Sequence, residues 1–405
     1  MLPTVIFLGD GMADIPISEL NGLTPIQHAN TPAMDSIARD GASGTLFTLP
    51  EPFPTSSDVA NMSVLGCDLE TEFCGRGPLE AAGRNIRLGP GDVAIRLNLV
   101  TVEDGILQDY SGGHVNQAIA DESIKLLNTE FGGDTIRFHS GVSYRNLLVL
   151  SGPEFSPEVA TDKPDDNQGN PVAEHLPSAR DPEADFTVAF LLKLIKEATP
   201  LLEALPGNCR LKESGKAMAN GVWPCHAGRA GSLKSIKDKY GIETSAVISA
   251  VDVIVGLGRL LGMEAITVPG ATGYIDTNYE GKAQAAIEAA GRCGLVYVHV
   301  EAIDEVSHEQ DLKLKIKAIE DFDSRVVGPV LAALGKDANV AVLPDHPVPL
   351  ALGKHTRDPI PVAVRLQGQA PDSVQTFDEV ACRGGSLGAM ANGDFMELLF
   401  GPARV

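Results

Sequence analysis

Four short runs of almost uninterrupted apolar residues constrain the fold of this chain more than any other feature. They are "TVIFL" at 4–8, "LVYVHVE" at 295–301, "NVAVL" at 339–343 and "IPVAVRL" at 360–366. Strands with one face in water alternate apolar and polar residues, whereas strands covered on both faces of a parallel sheet are apolar throughout. The runs therefore predict an α/β fold with a mostly parallel central sheet flanked by helices.

The stretch between the second and third runs predicts one of the covering helices. Apolar residues recur there at steps of three or four, with charged residues on the opposite face. A second helix is predicted over 246–263 and a further strand over 265–270. The apolar stripe of the first helix consists of Leu312, Ile316, Ile319, Phe322, Val326, Val330 and Leu334.

The middle of the chain has a different pattern. Strands are predicted over 93–102 and 143–150, on either side of a helix over 117–131. The polar segment 156–185 is rich in Pro, Asp and Asn, which favours a long loop or linker. These elements indicate a smaller α+β domain.

The length of the chain supports two domains. With 405 residues, the chain exceeds what one compact core usually holds. We expect the core to comprise 1–85 and 216–405, with 86–215 as an inserted domain.

Composition excludes some classes of partner. The chain has 54 acidic and 32 basic residues, a formal charge of −22. Such a surface repels phosphate backbones and anionic lipid, so neither nucleic acid nor a membrane is an expected partner. A small anionic substrate would need metal ions or clustered arginines.

The six cysteines form no CxxC pair, and no basic, apolar leader opens the chain, so we expect a cytoplasmic protein with reduced thiols.

Three aspartates come just after predicted strands. They are Asp10, Asp304 and Asp345. One such aspartate is commonly a turn residue or a helix cap. The carboxyl ends of parallel strands, however, form the crevice where open α/β sheets bind ligands. Three aspartates there favour a binding site.

Histidines accompany these aspartates at short spacings. His308 follows Asp304 by four residues, His346 is adjacent to Asp345, and His355 follows nine residues later. Aspartate and histidine together suit Zn²⁺ or Mn²⁺. With Asp10 they provide six ligands, enough for two metals that keep open positions. His114 and His226 lie in glycine-rich turns and are further candidates, whereas four histidines have no partner pattern and are expected to be structural or exposed: His28, His139, His175 and His299.

The stretch "FPTSSDVANMSVLG" at 53–66 places serines where a helix is expected to begin. Free N–H groups at a helix start suit a phosphate, and a metal can lower the pKa of a serine hydroxyl enough to make it a nucleophile. The alternative is that Ser57 or Asp58 only caps the helix over 59–65. The stretch alone leaves both interpretations open.

Together, these residues resemble the archaeal type of cofactor-independent, or 2,3-bisphosphoglycerate-independent, phosphoglycerate mutases of the alkaline phosphatase superfamily. The resemblance covers nearly the whole chain. Its motifs are "FLGDGMAD" (7–14), "SSDVANMSVLGCD" (56–68), "GRGPLEAAG" (75–83), "GVSYRNLLV" (141–149), "GATGYIDTNYEGKA" (270–283), "VYVHVEAIDEVSHEQD" (296–311) and "LPDHPVPLALGKHTRDPIPV" (343–362).

The resemblance implies an alkaline-phosphatase-like core that holds two divalent metal ions. Manganese is the first choice, with zinc, magnesium or cobalt as alternatives. The "SDV" wording selects Ser57 over Ser56 as nucleophile. One ion would be held by Asp304, His308 and His355, and the other by Asp10, Ser57, Asp345 and His346.

The implied reaction interconverts 3-phosphoglycerate and 2-phosphoglycerate, a step of glycolysis and gluconeogenesis, through a phosphoserine at Ser57. The resemblance also implies that the inserted domain, 86–215, closes over the substrate. The candidate substrate-binding residues are Arg76, Arg145, Arg229 and His114. A homo-oligomer is compatible with the sequence.

Two departures leave an alternative open. "PCHA" at 224–227 replaces a Trp- and Gly-rich run, and Cys67 stands where the family usually has an aromatic residue. Relatives that share the "DYSGGH" and "GVSYR" wording have been proposed as homoserine kinases. A homoserine kinase-like phosphotransferase, or a metal-dependent phosphatase, would use the same phosphoserine chemistry.

Overall fold

A computed structural model describes residues 2–231 and 233–402. The strands are β1 (Thr4–Gly9), β2 (Ala42–Phe47), β3 (Val93–Glu103), β4 (Ile106–Asp109), β5 (Ile136–Val142), β6 (Arg145–Leu150), β7 (Val159–Ala160), β8 (Ser178–Ala179), β9 (Gly221–Arg229), β10 (Ser245–Ile248), β11 (Glu264–Ile266), β12 (Leu295–Val300), β13 (Asn339–Leu343), β14 (Ile360–Arg365) and β15 (Gly388–Ala391).

The α-helices are α1 (Pro25–His28), α2 (Pro32–Arg39), α3 (Ser57–Val64), α4 (Leu69–Glu72), α5 (Arg76–Gly83), α6 (Gln117–Phe131), α7 (Asp185–Glu203), α8 (Pro206–Glu213), α9 (Ile236–Tyr240), α10 (Asp252–Leu260), α11 (Tyr279–Ala290), α12 (Ala302–His308), α13 (Leu312–Phe322), α14 (Gly328–Leu334) and α15 (Asp394–Phe400). Short 3-10 turns occur at Ser18–Leu20, Asp165–Asn167, Val172–Glu174, Pro182–Ala184 and Cys382–Gly384.

The chain forms two compact units. Unit 1 comprises Met1–Phe73 and Leu233–Val405, and unit 2 comprises Cys74–Ser232. The predicted insertion, 86–215, lies inside unit 2. Unit 2 also includes α5 and β9, since β9 pairs with β3 and α5 packs on both strands.

Unit 1 is built on an eight-stranded sheet in the order β11-β10-β12-β1-β13-β14-β2-β15. Only β14 is antiparallel to its neighbours, so the predicted mostly parallel sheet is confirmed. Alternate residues of its central strands, such as Val5 and Phe7, are fully buried beneath α2, α11 and α13. The helices on this face therefore shield the sheet from water, as the continuous apolar runs require.

Two predicted helices differ in detail. The stretch predicted as a helix over 246–263 begins as strand β10, and the helix starts only at Asp252. A short apolar run has no period that separates a buried strand from a buried helix. The helix predicted over 312–334 is α13 and α14, joined by the π-helical turn Asp323–Val327.

Unit 2 contains a second sheet, in the order β4-β3-β6-β5, with β9 pairing with β3. Its ladders are antiparallel. One face carries the apolar core, including Ile95, Leu97 and Leu148, packed with residues of α6 and α7. Strand residues of the opposite face include arginines, described below. Among the described residues, none of the helices has the length and apolar character needed to cross a membrane.

Candidate metal centre and substrate-binding residues

The three aspartates selected from the sequence meet at one edge of the unit 1 sheet. Asp10 directly follows β1, Asp345 follows β13, and Asp304 lies in the first turn of α12, just after β12. These three strands are neighbours and parallel, so their carboxyl ends lie side by side. All three aspartates are buried, with exposures of 0%, 0% and 5% in that order.

Gly11 allows this close approach. Its φ is +64°, and a Cβ there would lie 2.5 Å from Oδ1 and 2.7 Å from Cα of Asp304. Any other side chain would push the loop after β1 away from α12. Gly11, the second glycine of the "GDG" motif, therefore keeps Asp10 near Asp304.

Asp304, His308 and His355 form the first candidate ligand group, which we name the histidine site. Each offers an atom within 4.8 Å of the others. His308 Nε2 lies 3.0 Å from His355 Nε2 and 3.4 Å from Asp304 Oδ2. His308 Nδ1 lies 2.9 Å from the Gly353 carbonyl oxygen, so Nδ1 carries a proton and donates it. This hydrogen bond fixes the ring in the orientation that a ligating Nε2 requires.

Asp10, Ser57, Asp345 and His346 form the second group, the serine site. His346 Nε2 lies 3.2 Å from Ser57 Oγ, 3.3 Å from Asp10 Oδ1 and 3.4 Å from Asp345 Oδ2. Asp304 also offers an atom within 4.8 Å of Asp10 and His346. Asp304 is therefore placed to serve both sites, although the sequence assigned it to one.

The electrostatics of this edge favour a bound cation. Burial and then the charge of Asp345 raise the pKa of Asp10 well above its ordinary value. Burial likewise raises the pKa of Asp345 to about 7, and that of Glu301 to about 8. Crowded carboxylates in a low-dielectric site resist ionisation unless positive charge compensates them.

The histidines of the two sites differ in charge. Burial and then His355 hold the pKa of His346 well below its ordinary value, so its ring is the neutral form that ligates metals. Burial opposes protonation of His308, but the hydrogen bond and charge of Asp304 raise its pKa to about 9.

The donor set fits divalent cations. Among the described residues, the buried atoms Asp10 Oδ1 and Asp304 Oδ1 have no hydrogen-bond partner. An unpaired buried carboxylate oxygen is costly, and a cation satisfies it. Mixed carboxylate and imidazole ligands suit manganese or zinc better than calcium.

Ser57 is the first residue of α3, and the cap position is Ser56. The described structure gives this helix no side-chain cap hydrogen bond, so the interpretation of Ser57 or Asp58 as the cap is wrong. The loop before Ser57 is fixed by Arg357, whose guanidinium donates to the carbonyl oxygens of Leu49 at 2.7 Å and Phe53 at 2.6 Å. Because Ser57 Oγ makes no helix-cap bond in the described structure, it can face the serine site.

Asn61 was not predicted from the sequence, yet it joins Ser57 to the serine site. Its Nδ2 donates to Asp345 Oδ2 and to the Ser57 carbonyl oxygen, each at 2.8 Å. Its Oδ1 accepts a hydrogen bond from the Tyr297 hydroxyl at 2.6 Å. Asn61 therefore fixes the first turn of α3 against Asp345.

His299 also lacked a recognised partner in the sequence. His299 lies in β12 opposite Leu8 of β1, and its Nε2 lies 2.9 Å from Asp10 Oδ2. Burial and the charge of Lys282 lower the pKa of His299 to about 3, so the ring is neutral and shares one hydrogen bond with Asp10. The available signal was a histidine inside an apolar run that predicts a central strand.

In unit 2, Arg76, Arg84 and Arg96 surround the buried carboxylate of Glu80; we name this the arginine cluster. Arg76 Nε lies 2.9 Å, Arg96 Nη1 3.5 Å and Arg84 Nη2 3.6 Å from Glu80 oxygens. Burial opposes ionisation of Glu80, but the arginine charges lower its pKa to about 2. These ion pairs hold the three guanidinium groups around one buried carboxylate.

The other predicted substrate-binding residues lie in different places. Arg145 pairs across the sheet with Asn98, whose Oδ1 accepts a hydrogen bond from Arg96 Nε at 3.0 Å, so it shares the face of the cluster. Arg229 pairs with Val93 on the opposite face and donates to the Phe155 carbonyl oxygen at 2.7 Å. His114 is exposed in the turn after β4.

The amino-acid sequence of the chain is similar to those of known proteins. The family model for 2,3-bisphosphoglycerate-independent phosphoglycerate mutase matches residues 38–208. A protein of that name from Methanosarcina acetivorans is 46% identical over 398 residues, covering 97% of this chain and 98% of its own. The chain belongs to this family. The family predicted from the motifs is confirmed.

Solved structures agree with this family assignment. A Pyrococcus horikoshii protein gives a TM-score of 0.83 at 26% identity, covering 98% of this chain and 96% of its own. The cofactor-independent phosphoglycerate mutase of Thermoplasma acidophilum gives a TM-score of 0.67 at 28% identity. The match covers 98% of the present chain and 99% of the Thermoplasma chain.

Proposed function

We propose that this chain is a phosphoglycerate mutase that moves a phosphoryl group between the 3- and 2-hydroxyls of glycerate through Ser57. The observation that carries the proposal is the position of Ser57 Oγ, 3.2 Å from His346 Nε2 at the edge where Asp10, Asp304 and Asp345 meet. Membership of the mutase family supports the choice of substrate.

The two sites would hold two divalent cations, manganese by preference. Asp304, His308 and His355 would bind one, and Asp10, Asp345 and His346 would bind the other together with Ser57. When bound, such cations lower the pKa of a hydroxyl and neutralise the charge on a phosphoryl group.

The residues of unit 1 prepare Ser57 for in-line attack. A bond forms between Oγ and phosphorus while the bond from phosphorus to the C3 oxygen of 3-phosphoglycerate breaks. The proton lost by the serine hydroxyl is balanced by the proton that the released 3-hydroxyl of glycerate gains. Glycerate then presents its 2-hydroxyl, which takes the phosphoryl group and restores the serine. Backbone N–H groups in the first turn of α3 favour the negative charge beside Ser57.

Substrate binding is assigned to the arginine cluster, which contains the predicted Arg76. Guanidinium groups pair with carboxylates and phosphates through charge-assisted hydrogen bonds, so the arginine cluster suits an anionic group of the substrate. Glu80 keeps the guanidinium groups oriented before the substrate arrives. Arg145, on the same face, is a further candidate, and the closing role predicted for the insertion stays a prediction.

A coupled assay tests the proposal. Purified protein with Mn²⁺ and 3-phosphoglycerate should feed enolase at a rate proportional to the protein added, with almost no free phosphate. Phosphate release without 2-phosphoglycerate would identify a phosphatase. Phosphorylation of homoserine by ATP, without mutase activity, would identify the kinase-like alternative.

A further inference from the structure

A buried lysine lies behind the candidate metal centre and belongs to neither site. Lys315, in the first turn of α13, is fully buried. Its Nζ donates to Asp14 Oδ2 at 2.8 Å and to the Val348 carbonyl oxygen at 2.9 Å. These acceptors are far from Lys315 in sequence, so the contact joins separate segments.

Asp14 extends the junction. Its Oδ2 also accepts the backbone N–H of Leu350 at 3.1 Å, and its own N–H donates to Glu379 Oε1 at 2.9 Å. The Val348 N–H donates to the Ala13 carbonyl oxygen at 3.1 Å. The loop after β1 and the loop after β13 are therefore fastened to each other and to α13.

These are the segments that carry the ligands. Asp10 lies four residues before Asp14, His346 lies two before Val348, and α12, with Asp304 and His308, precedes α13. We propose that the Asp14–Lys315 pair is a positioning device that sets the two candidate cation sites at their working separation. This inference rests on the proposed function, because it assumes that the sites bind metal.

Unit 1 offers a matched control. Lys239 and Glu72 form a second buried ion pair, in which Lys239 also donates to the Gly66 carbonyl oxygen at 3.1 Å. It ties α9 to α4 and to the residues after α3, and none of these elements contains a residue of the histidine site. Replacing either pair removes two buried charges, but only the first pair joins the segments that carry the aspartate and histidine ligands.

The experiment compares Mn²⁺ binding to three full-length proteins by titration calorimetry. These are the wild type, Asp14→Asn with Lys315→Met, and Glu72→Gln with Lys239→Met. Loss of a group that is hydrogen-bonded to a metal ligand typically weakens binding about 10–100-fold. The bonds of Asp14 and Lys315 described above go to the segments that carry the ligands, so we expect a loss at the lower end, about 10-fold, for the first variant. The control variant should bind Mn²⁺ with an affinity within about twofold of the wild type. This holds even if its urea unfolding midpoint falls as far as that of the first variant.

Equal affinity in all three proteins, or equal weakening in both variants, would overturn the inference. Lys315→Arg, which keeps the charge but changes the donor geometry, replaces the double variant if that one does not fold, with the same expected loss. Absence of Mn²⁺ binding by the wild type would instead refute the proposed metal centre.

Discussion

The two units collect charged groups in different ways. In unit 1 the aspartate ligands follow neighbouring parallel strands, and strand order brings Asp10, Asp304 and Asp345 to the same edge of the sheet. In unit 2 the arginines come from α5, the residue after it and β3, and one buried carboxylate, Glu80, contacts all three. Topology places the first set and a specific side-chain contact places the second, so substitutions should affect the two sets differently.

Replacing the nucleophile should have the largest effect. Ser57→Ala should lower kcat for the conversion of 3-phosphoglycerate by at least about 1,000-fold, because no hydroxyl then accepts the phosphoryl group. Ser56→Ala, one residue earlier and without a side-chain cap bond, should change kcat less than about threefold. The coupled enolase assay compares the two, and the reverse order would move the nucleophile to Ser56.

Removing a histidine ligand should have the next largest effect. His308→Ala should weaken Mn²⁺ binding by at least about 100-fold, since one of three protein ligands is lost. His28→Ala, exposed at the end of α1, is the control and should bind as the wild type does. Calorimetry measures both, and treatment with a chelator should abolish wild-type activity until Mn²⁺ is restored. Full activity in chelator would contradict the metal centre.

The arginine cluster is tested by a pair of arginines on opposite faces of the unit 2 sheet. Arg96→Ala should raise the KM for 3-phosphoglycerate by about 10–100-fold, the value of one or two charge-assisted hydrogen bonds. Arg229→Ala should leave KM within about twofold, because its guanidinium already donates to Phe155. A larger effect from Arg229 would support the prediction, made from the sequence, that Arg229 binds the substrate.

Glu80 gives the smallest effect and a pH dependence. Its pKa of about 2, against an ordinary 4.5, means that the ionised form stabilises the fold above about pH 4.5 and that this stability is lost as pH falls toward 2. Glu80→Gln should therefore lower the free energy of unfolding by about 3 kcal/mol near neutral pH. Urea unfolding near pH 7 and near pH 3.5 should show a smaller difference at the lower pH. An unchanged difference would mean that the arginines do not hold the Glu80 charge.

The sequence predicted residues that are placed by strand order better than residues that are placed by side-chain contacts. The central strands and Asp10, Asp304 and Asp345 were predictable, because apolar runs fix the strands and strand ends fix the aspartates. Strand β10 was not, since a short apolar run has no distinguishing period. Asn61 and His299 were missed because their roles depend on contacts between segments distant in sequence. Arg84 and Arg96 were missed for the same reason, as their partner Glu80 is evident only once α5 packs on β3.

The central claim is that the phosphoryl group passes through Ser57. Rapid acid quenching of the Mn²⁺-loaded wild type with ³²P-labelled 3-phosphoglycerate, followed by peptide mapping, tests it directly. The account predicts label on Ser57 that appears before 2-phosphoglycerate and is absent from Ser57→Ala. Label on another residue, or turnover in the Ser57→Ala variant at the wild-type rate, would contradict it.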